Sequence, residues 1–138
     1  MSIEQNKKIM ARMIEEVWNE GNLAVADELF APDHTSPSAP QLPPGSDGVK
    51  ILVKMFREAM PDYHMQIDLM VADDNQVVAR FTQSGTHTGG DLMGMKASNR
   101  KATWTEIGVL KIKDGKIAES WYEVDMLSMI QQLNGTKQ

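Results

Sequence analysis

Pro61 divides this chain into two stretches whose apolar residues repeat with different periods, so no single class of secondary structure suits both. On the N-terminal side the period is helical. Ser2 and Gln5 stand at capping-box spacing, and Ile3, Met10, Met13, Ile14, Val17 and Trp18 recur on one face as far as Gly21, which suits a helix C′ position. The expected first helix covers about residues 3 to 20. Asn22 can cap a second, shorter helix with Leu23, Ala26, Leu29 and Phe30 as its stripe and Pro32 at its end. Five of the six prolines fall between residues 31 and 46, a segment read as an ordered loop or lid. Ser46 or Asp47 then opens a third helix, whose Val49, Leu52, Val53, Phe56 and Met60 stop at Pro61.

Beyond Pro61 apolar residues alternate and β-branched residues become frequent. A first strand is expected from Tyr63 to Ala72, with Tyr63, Met65, Ile67, Leu69 and Val71 on one face. Asp73-Asp74-Asn75 turns the chain into a second strand, about Gln76 to Thr88. A polar, Gly-rich connection leads to a third strand, Lys101 to Lys113, and Asp114-Gly115, the strongest hairpin signal in the chain, returns it as a fourth, Lys116 to Val124. A short helix from Met126 to Leu133 ends before Gly135. Helices followed by a meander exclude a βαβ arrangement. The expected class is α+β: three N-terminal helices packed on a curved antiparallel sheet of four or more strands, with a short C-terminal helix. With 138 residues and no linker or internal repeat, the whole of 1–138 reads as one domain.

The hairpin carries the most chemistry. If Asp114-Gly115 is a two-residue loop with regular pairing, Gly108 lies opposite Trp121, Glu106 opposite Glu123, and Trp104 opposite Asp125, all on one face. Carboxylates directly opposed repel, and a carboxyl against an indole wall is desolvated, so both arrangements push a pKa upward. Proton transfer needs such a group. The same residues also admit a plainer reading: tryptophans as sheet core, Glu106 and Glu123 on a solvated face, and Asp125 as the N-cap of the last helix. A bulge would reverse the faces. An Asp125 in bulk solvent would end the enzyme reading built on it.

Composition closes other routes. There is no cysteine, so thiolate metal sites, iron–sulfur clusters, disulfides and cysteine nucleophiles are excluded. His34, His64 and His87 have no partner at metal-ligand spacing, and no metal is expected. The net charge of −5, with no basic cluster, argues against nucleic acid. No signal-peptide pattern and no membrane-length apolar run is present, which makes a cytoplasmic protein the expectation. Gly89-Gly90-Asp91-Leu92-Met93-Gly94 lacks the phosphate-loop pattern. Eleven methionines leave much apolar volume unbranched and adaptable. Of these, Met10, Met13, Met55, Met60 and Met65 suit the core, whereas Met93, Met95, Met126 and Met129 fall near the expected pocket mouth.

Several strings together resemble one family: Ala59-Met60-Pro61-Asp62, Ala72-Asp73-Asp74-Asn75-Gln76-Val77-Val78-Ala79-Arg80, Gly85-Thr86-His87-Thr88-Gly89, and Asp114-Gly115-Lys116-Ile117-Ala118-Glu119-Ser120-Trp121 followed by Asp125-Met126-Leu127. Across about residues 5 to 135 the chain resembles the SnoaL-like polyketide cyclases, or ester cyclases, of the nuclear transport factor 2-like superfamily. The resemblance implies a cone-shaped α+β barrel around an apolar pocket, and intramolecular aldol ring closure of a polyketide ester without cofactor or metal. It implies Asp125 as acid/base and His87 as its catalytic companion. Trp104, Trp121, Glu106, Glu123, Trp18, Met93 and Met126 are the candidate substrate-binding residues. The stretch Met95-Lys96-Ala97-Ser98-Asn99-Arg100 departs from the Pro-Pro-Thr-Gly turn common in the family. A non-catalytic module binding a hydrophobic small molecule is the main alternative. An isomerase resembling the ketosteroid isomerases ranks lower, because Tyr122 falls on the wrong face in the expected register. A homodimer or higher homo-oligomer, formed through the sheet, is compatible with each.

Overall fold

A computed structural model describes residues 2–135. Helix α1 (Ile3–Arg12) begins at the Ser2 capping box, in which Ser2 Oγ accepts from Gln5 N–H and the Gln5 side chain accepts from Ser2 N–H. It continues as a π-helical stretch, Met13–Asn19, which buries Met13, Ile14, Val17 and Trp18 together. Arg57 closes that stretch by donating from Nη1 to the carbonyls of Trp18 and Asn19. After α2 (Leu23–Leu29), α3 (Asp47–Ala59) turns Val49, Val53, Phe56 and Ala59 inward. Chain order thus delivers the helical segments ahead of the antiparallel meander, as the period change requires. No helix among the described residues is long and apolar enough to cross a membrane.

The sheet has five strands: β1 (Phe30–Thr35), β2 (His64–Ala72), β3 (Gln76–Thr86), β4 (Lys101–Lys113) and β5 (Lys116–Val124), in the order β1-β5-β4-β3-β2. It is open, not closed into a barrel. Helix α4 (Met126–Leu133) packs beside β4. The four C-terminal strands form the expected antiparallel meander. The addition is β1, which lies within the segment read as loop and pairs in parallel with β5 through Phe30 and Thr35. Pro32 is tolerated because β1 is an edge strand whose register breaks between those two pairs.

Two bulges change which side chains face inward. In β2 the register shifts between Ile67 and Leu69, so Met65 points into the core while Leu69 and Val71 stand on the outer face, at 53% and 58% exposure. The expectation that all five odd residues share one face therefore fails beyond Ile67. In β5 the turn itself is as expected, with Asp114 and Gly115 at φ 52° and 76°. Three residues later Ile112 pairs with Ile117 but Lys111 pairs with Glu119, leaving Ala118 as an extra residue. From there on the partners are Leu110–Ser120, Val109–Trp121, Gly108–Tyr122, Ile107–Glu123 and Glu106–Val124. The regular register is thereby corrected: Trp104 and Glu106 face the core with Ser120, Tyr122 and Val124, while Trp121 and Glu123 face outward and Asp125 follows them.

Candidate active site

Helix α3, the π-helical stretch, the proline-rich lid and the inner face of β4 and β5 enclose a cavity of about 320 Å³. Trp18 and Phe56 meet at its inner end with ring centroids 6.1 Å apart, and Tyr63 and Trp104 continue that aromatic cluster beneath. Leu42 and Pro43 from the lid, Val49, Leu52 and Met55 from α3, and Met93 and Met126 complete an apolar wall. Gly108 makes room on the floor, because a Cβ there would meet Phe81 at 3.0 Å and the Tyr122 ring at 3.3 Å. No lysine or arginine among the described residues lines the cavity.

Glu106 is the carboxyl in this apolar wall. It is 9% exposed, and burial pushes its pKa up to about 7, opposed only in part by the hydrogen bond from Gln83. Gln83 Nε2 donates to Glu106 Oε1 at 2.9 Å, and Gln83 Oε1 accepts from the Tyr63 hydroxyl. Burial, followed by the charge of Glu106, also holds the Tyr63 hydroxyl well above the usual phenol range. The pairing Gln83–Trp104 on β3 and β4 places the amide beside Glu106 on the inner face. A carboxyl whose pKa sits near neutrality both accepts and returns a proton at little cost.

A second polar couple lies four residues along the same floor. His34 Nε2 and Ser120 Oγ are 2.8 Å apart, both buried, and the His34 ring stands edge-on to Phe30. Burial holds His34 below the ordinary histidine value, with the Gly45 backbone and the charge of Glu119 opposing. The couple joins β1 to β5 where their backbone register breaks. Ser36 Oγ donates to the Ser120 carbonyl, and Ser38 Oγ accepts from Tyr122 N–H, so the lid is tied to the same strand.

The structure divides the expected site residues. Trp18, Glu106, Met93 and Met126 line the cavity, and Trp104, 2% exposed, backs it by stacking on Phe56 at 6.3 Å. Trp121 and Glu123 are turned to the outer face by the Ala118 bulge. Asp125 is exposed and caps α4, its Oδ1 accepting from Ser128 N–H at 3.1 Å. Glu123 and Asp125 border instead an outer depression with Arg80, Thr105 and Ile107, which Glu106 and Val124 also reach. His87 is fully buried outside the cavity wall. Its Nε2 lies 2.8 Å from the Gly90 carbonyl, which only accepts, so Nε2 carries the proton and pins the loop that ends in Met93. Gly89 and Gly90 donate to the last carbonyls of α3, docking the same loop. Met129 is core and not at the mouth, whereas Met55 joins the cavity wall. Sequence reasoning missed Gln83, Tyr63, His34 and Ser120 as a set. Gln83 alone carried a readable signal, as a polar residue at an inward position of an otherwise apolar alternation, Val77, Ala79 and Phe81.

A model of the SnoaL-like polyketide cyclase family matches residues 8–133. Among solved structures the chain is similar to TsrD from Streptomyces laurentii, at 26% identity and a TM-score of 0.88 over 96% of this chain and 97% of that one. It is similar to a proposed polyketide cyclase from Acidithiobacillus ferrooxidans, at 29% identity and a TM-score of 0.81 over 99% and 100%. It is also similar to AclR from Streptomyces galilaeus, a proposed hydroxylase, at 25% identity and a TM-score of 0.82 over 99% and 85%. No curated protein matches the chain.

Proposed function

The chain belongs to the SnoaL-like polyketide cyclase family, and from that premise we propose that it performs acid/base chemistry on an uncharged, apolar carbonyl compound held in the cavity, with Glu106 as the proton-transferring group. The observation that carries the reading is a buried carboxyl with its pKa near 7 in a wall that holds no cationic side chain among the described residues. Ionised Glu106 removes a proton from the carbon next to a carbonyl. The resulting enolate carbon attacks a second carbonyl of the same molecule, one carbon–carbon bond forms, and the alkoxide takes the proton back from Glu106. The step leaves the oxidation level unchanged, so no cofactor is needed to balance it. Glu106 replaces Asp125 in this role, and His87 acts on the loop and not on the substrate.

Ring closure of an apolar polyketide methyl ester, followed by absorbance, tests the reading. Glu106→Gln is expected to abolish turnover and Asp125→Asn to retain it. Turnover in Glu106→Gln would remove Glu106 as the base. The inward Tyr122 lines the same cavity, although its hydroxyl donates to Met13 Sδ at 3.9 Å; an isomerase is the second reading, because the enolate is common to both reactions. Partnering with a second copy is proposed from the outer face. There Val71, Val78, Val109 and Trp121 pair in one transverse apolar row beside exposed Leu69 and Ile107. Val71→Lys is expected to convert a dimer to a monomer in size-exclusion chromatography, and an unchanged elution volume would refute that surface.

A further inference from the structure

Glu106 is gripped at one oxygen, by an amide whose sense a phenol dictates. Gln83 Nε2 holds Oε1 at 2.9 Å, and no other hydrogen bond reaches this carboxyl among the described residues. Oε2 is not among the buried, unpartnered atoms, so it is the oxygen left accessible, on a carboxyl that borders both the cavity and the outer depression. A carboxamide offers a donor face and an acceptor face. While Glu106 is ionised, only the donor face suits it. Once Glu106 is protonated, the amide could reverse and accept from the acid. Reversal would turn the NH2 toward Tyr63, whose own hydroxyl proton, in a residue 4% exposed, would then lack the acceptor it now has in Gln83 Oε1.

We propose that Tyr63 and Gln83 are positioning residues that keep Oε1 of Glu106 an acceptor in both protonation states and confine the transferable proton to Oε2, the oxygen without a hydrogen bond. The proposal rests on the reading of Glu106 as the acid/base. It explains why a buried glutamine and a buried phenol stand behind the carboxyl, a position that an apolar pair would fill at lower cost. The titratable and charged groups near Glu106 are Tyr63 ahead of β2, Tyr122 on β5 and His34 on β1, with Arg80 of β3, Glu123 and Asp125 around the outer depression and Arg57 of α3 acting on Tyr63 through its charge. None of them donates to Oε1 or Oε2. The side-chain amide is thus the lever on the acid, and the phenol acts through it.

The test uses ligand-free protein and infrared difference spectra of the protonated carboxyl, with the Glu106 band identified by its loss in Glu106→Gln. Gln83→Leu is expected to raise the titration midpoint of that band by about one pH unit, since a hydrogen bond to a charged group has been lost. Tyr63→Phe removes one oxygen and keeps the shape; it is expected to raise the midpoint by less, because the amide then samples both senses. The double variant should match Gln83→Leu alone. An unmoved midpoint in Tyr63→Phe overturns the proposal, as does a Tyr63→Phe effect that persists without Gln83. Gln83→Met serves if the leucine variant does not fold. In turnover, kcat is expected to fall in Tyr63→Phe with KM little changed. Full turnover in Glu106→Gln would end the catalytic reading and leave these titrations standing, so the two failures are distinguishable.

Discussion

Replacing Glu106 with glutamine should stabilise this protein at pH 8 and do little at pH 4. The carboxyl's ordinary value is 4.5, and burial raises it to about 7 in the folded chain. Below 4.5 it is protonated whether folded or unfolded and contributes no pH dependence. Between 4.5 and 7 the unfolded chain releases the proton while the folded one retains it, so each pH unit removes about 1.4 kcal/mol from stability. Above 7 the loss is complete at about 3 kcal/mol, a large part of a typical domain's margin. Glutamine keeps the shape and can still accept from Gln83, so the variant lacks this loss and little else. Urea unfolding followed by tryptophan fluorescence at intervals from pH 4 to 8.5 measures both proteins. Groups held below their ordinary values, Glu16, Asp27, Asp62, Asp73 and His34, titrate in both and cancel in the difference. A difference that stays constant across this window would mean that Glu106 is not desolvated, and the argument for it as the acid would fall with it.

Two further outcomes follow from the register. Asp125→Ala should cost about 1 kcal/mol through loss of the α4 cap, read as a lower melting temperature, while the affinity for a hydrophobic dye in the cavity stays unchanged. A drop in that affinity would put Asp125 in the site after all. Deleting Ala118 should restore regular pairing, leave Ser120 and Tyr122 inward opposite Leu110 and Gly108, keep Ser120 beside His34 and permit cooperative folding. A deletion variant that loses dye binding or its sharp melting transition would show that Ala118 does more than offset the register by one residue.

The sequence was legible wherever one residue sufficed to mark a boundary. The Ser2–Gln5 box, Pro61, Asp114-Gly115 and the stop before Gly135 lie where expected, and β4, β5 and α4 have the expected ends. The faces of β5 were not legible, because a bulge is a single extra residue and Ala118 carries no local sign of it. Side-chain period is two, so that residue exchanged Trp121, Glu123 and Asp125 for Ser120, Tyr122 and Val124 at the cavity. Trp104 and Glu106 kept their face, since the bulge lies on the partner strand. Strand β1 was hidden by Pro32 and by its need for a partner, β5, far along the chain. The pairing of Tyr63, Gln83 and Glu106 joins a turn and two strands, so only the folded register brings it together.

The carboxyls of the hairpin also differ in cost. Glu123 and Asp125 are exposed, and water solvates their charges whether or not they do anything. Glu106 is desolvated, and above pH 7 it works against folding by about 3 kcal/mol, where a leucine of similar volume would favour it. Two more buried polar groups, Gln83 and Tyr63, are committed to it. Around them the cavity wall is aromatic rings, aliphatic side chains and the adaptable Met55, Met93 and Met126, none of which needs a carboxyl for packing. Stability alone therefore favours removing Glu106, and that cost, set in a ligand-sized apolar cavity, is the physical argument for the proposal that its proton is put to use.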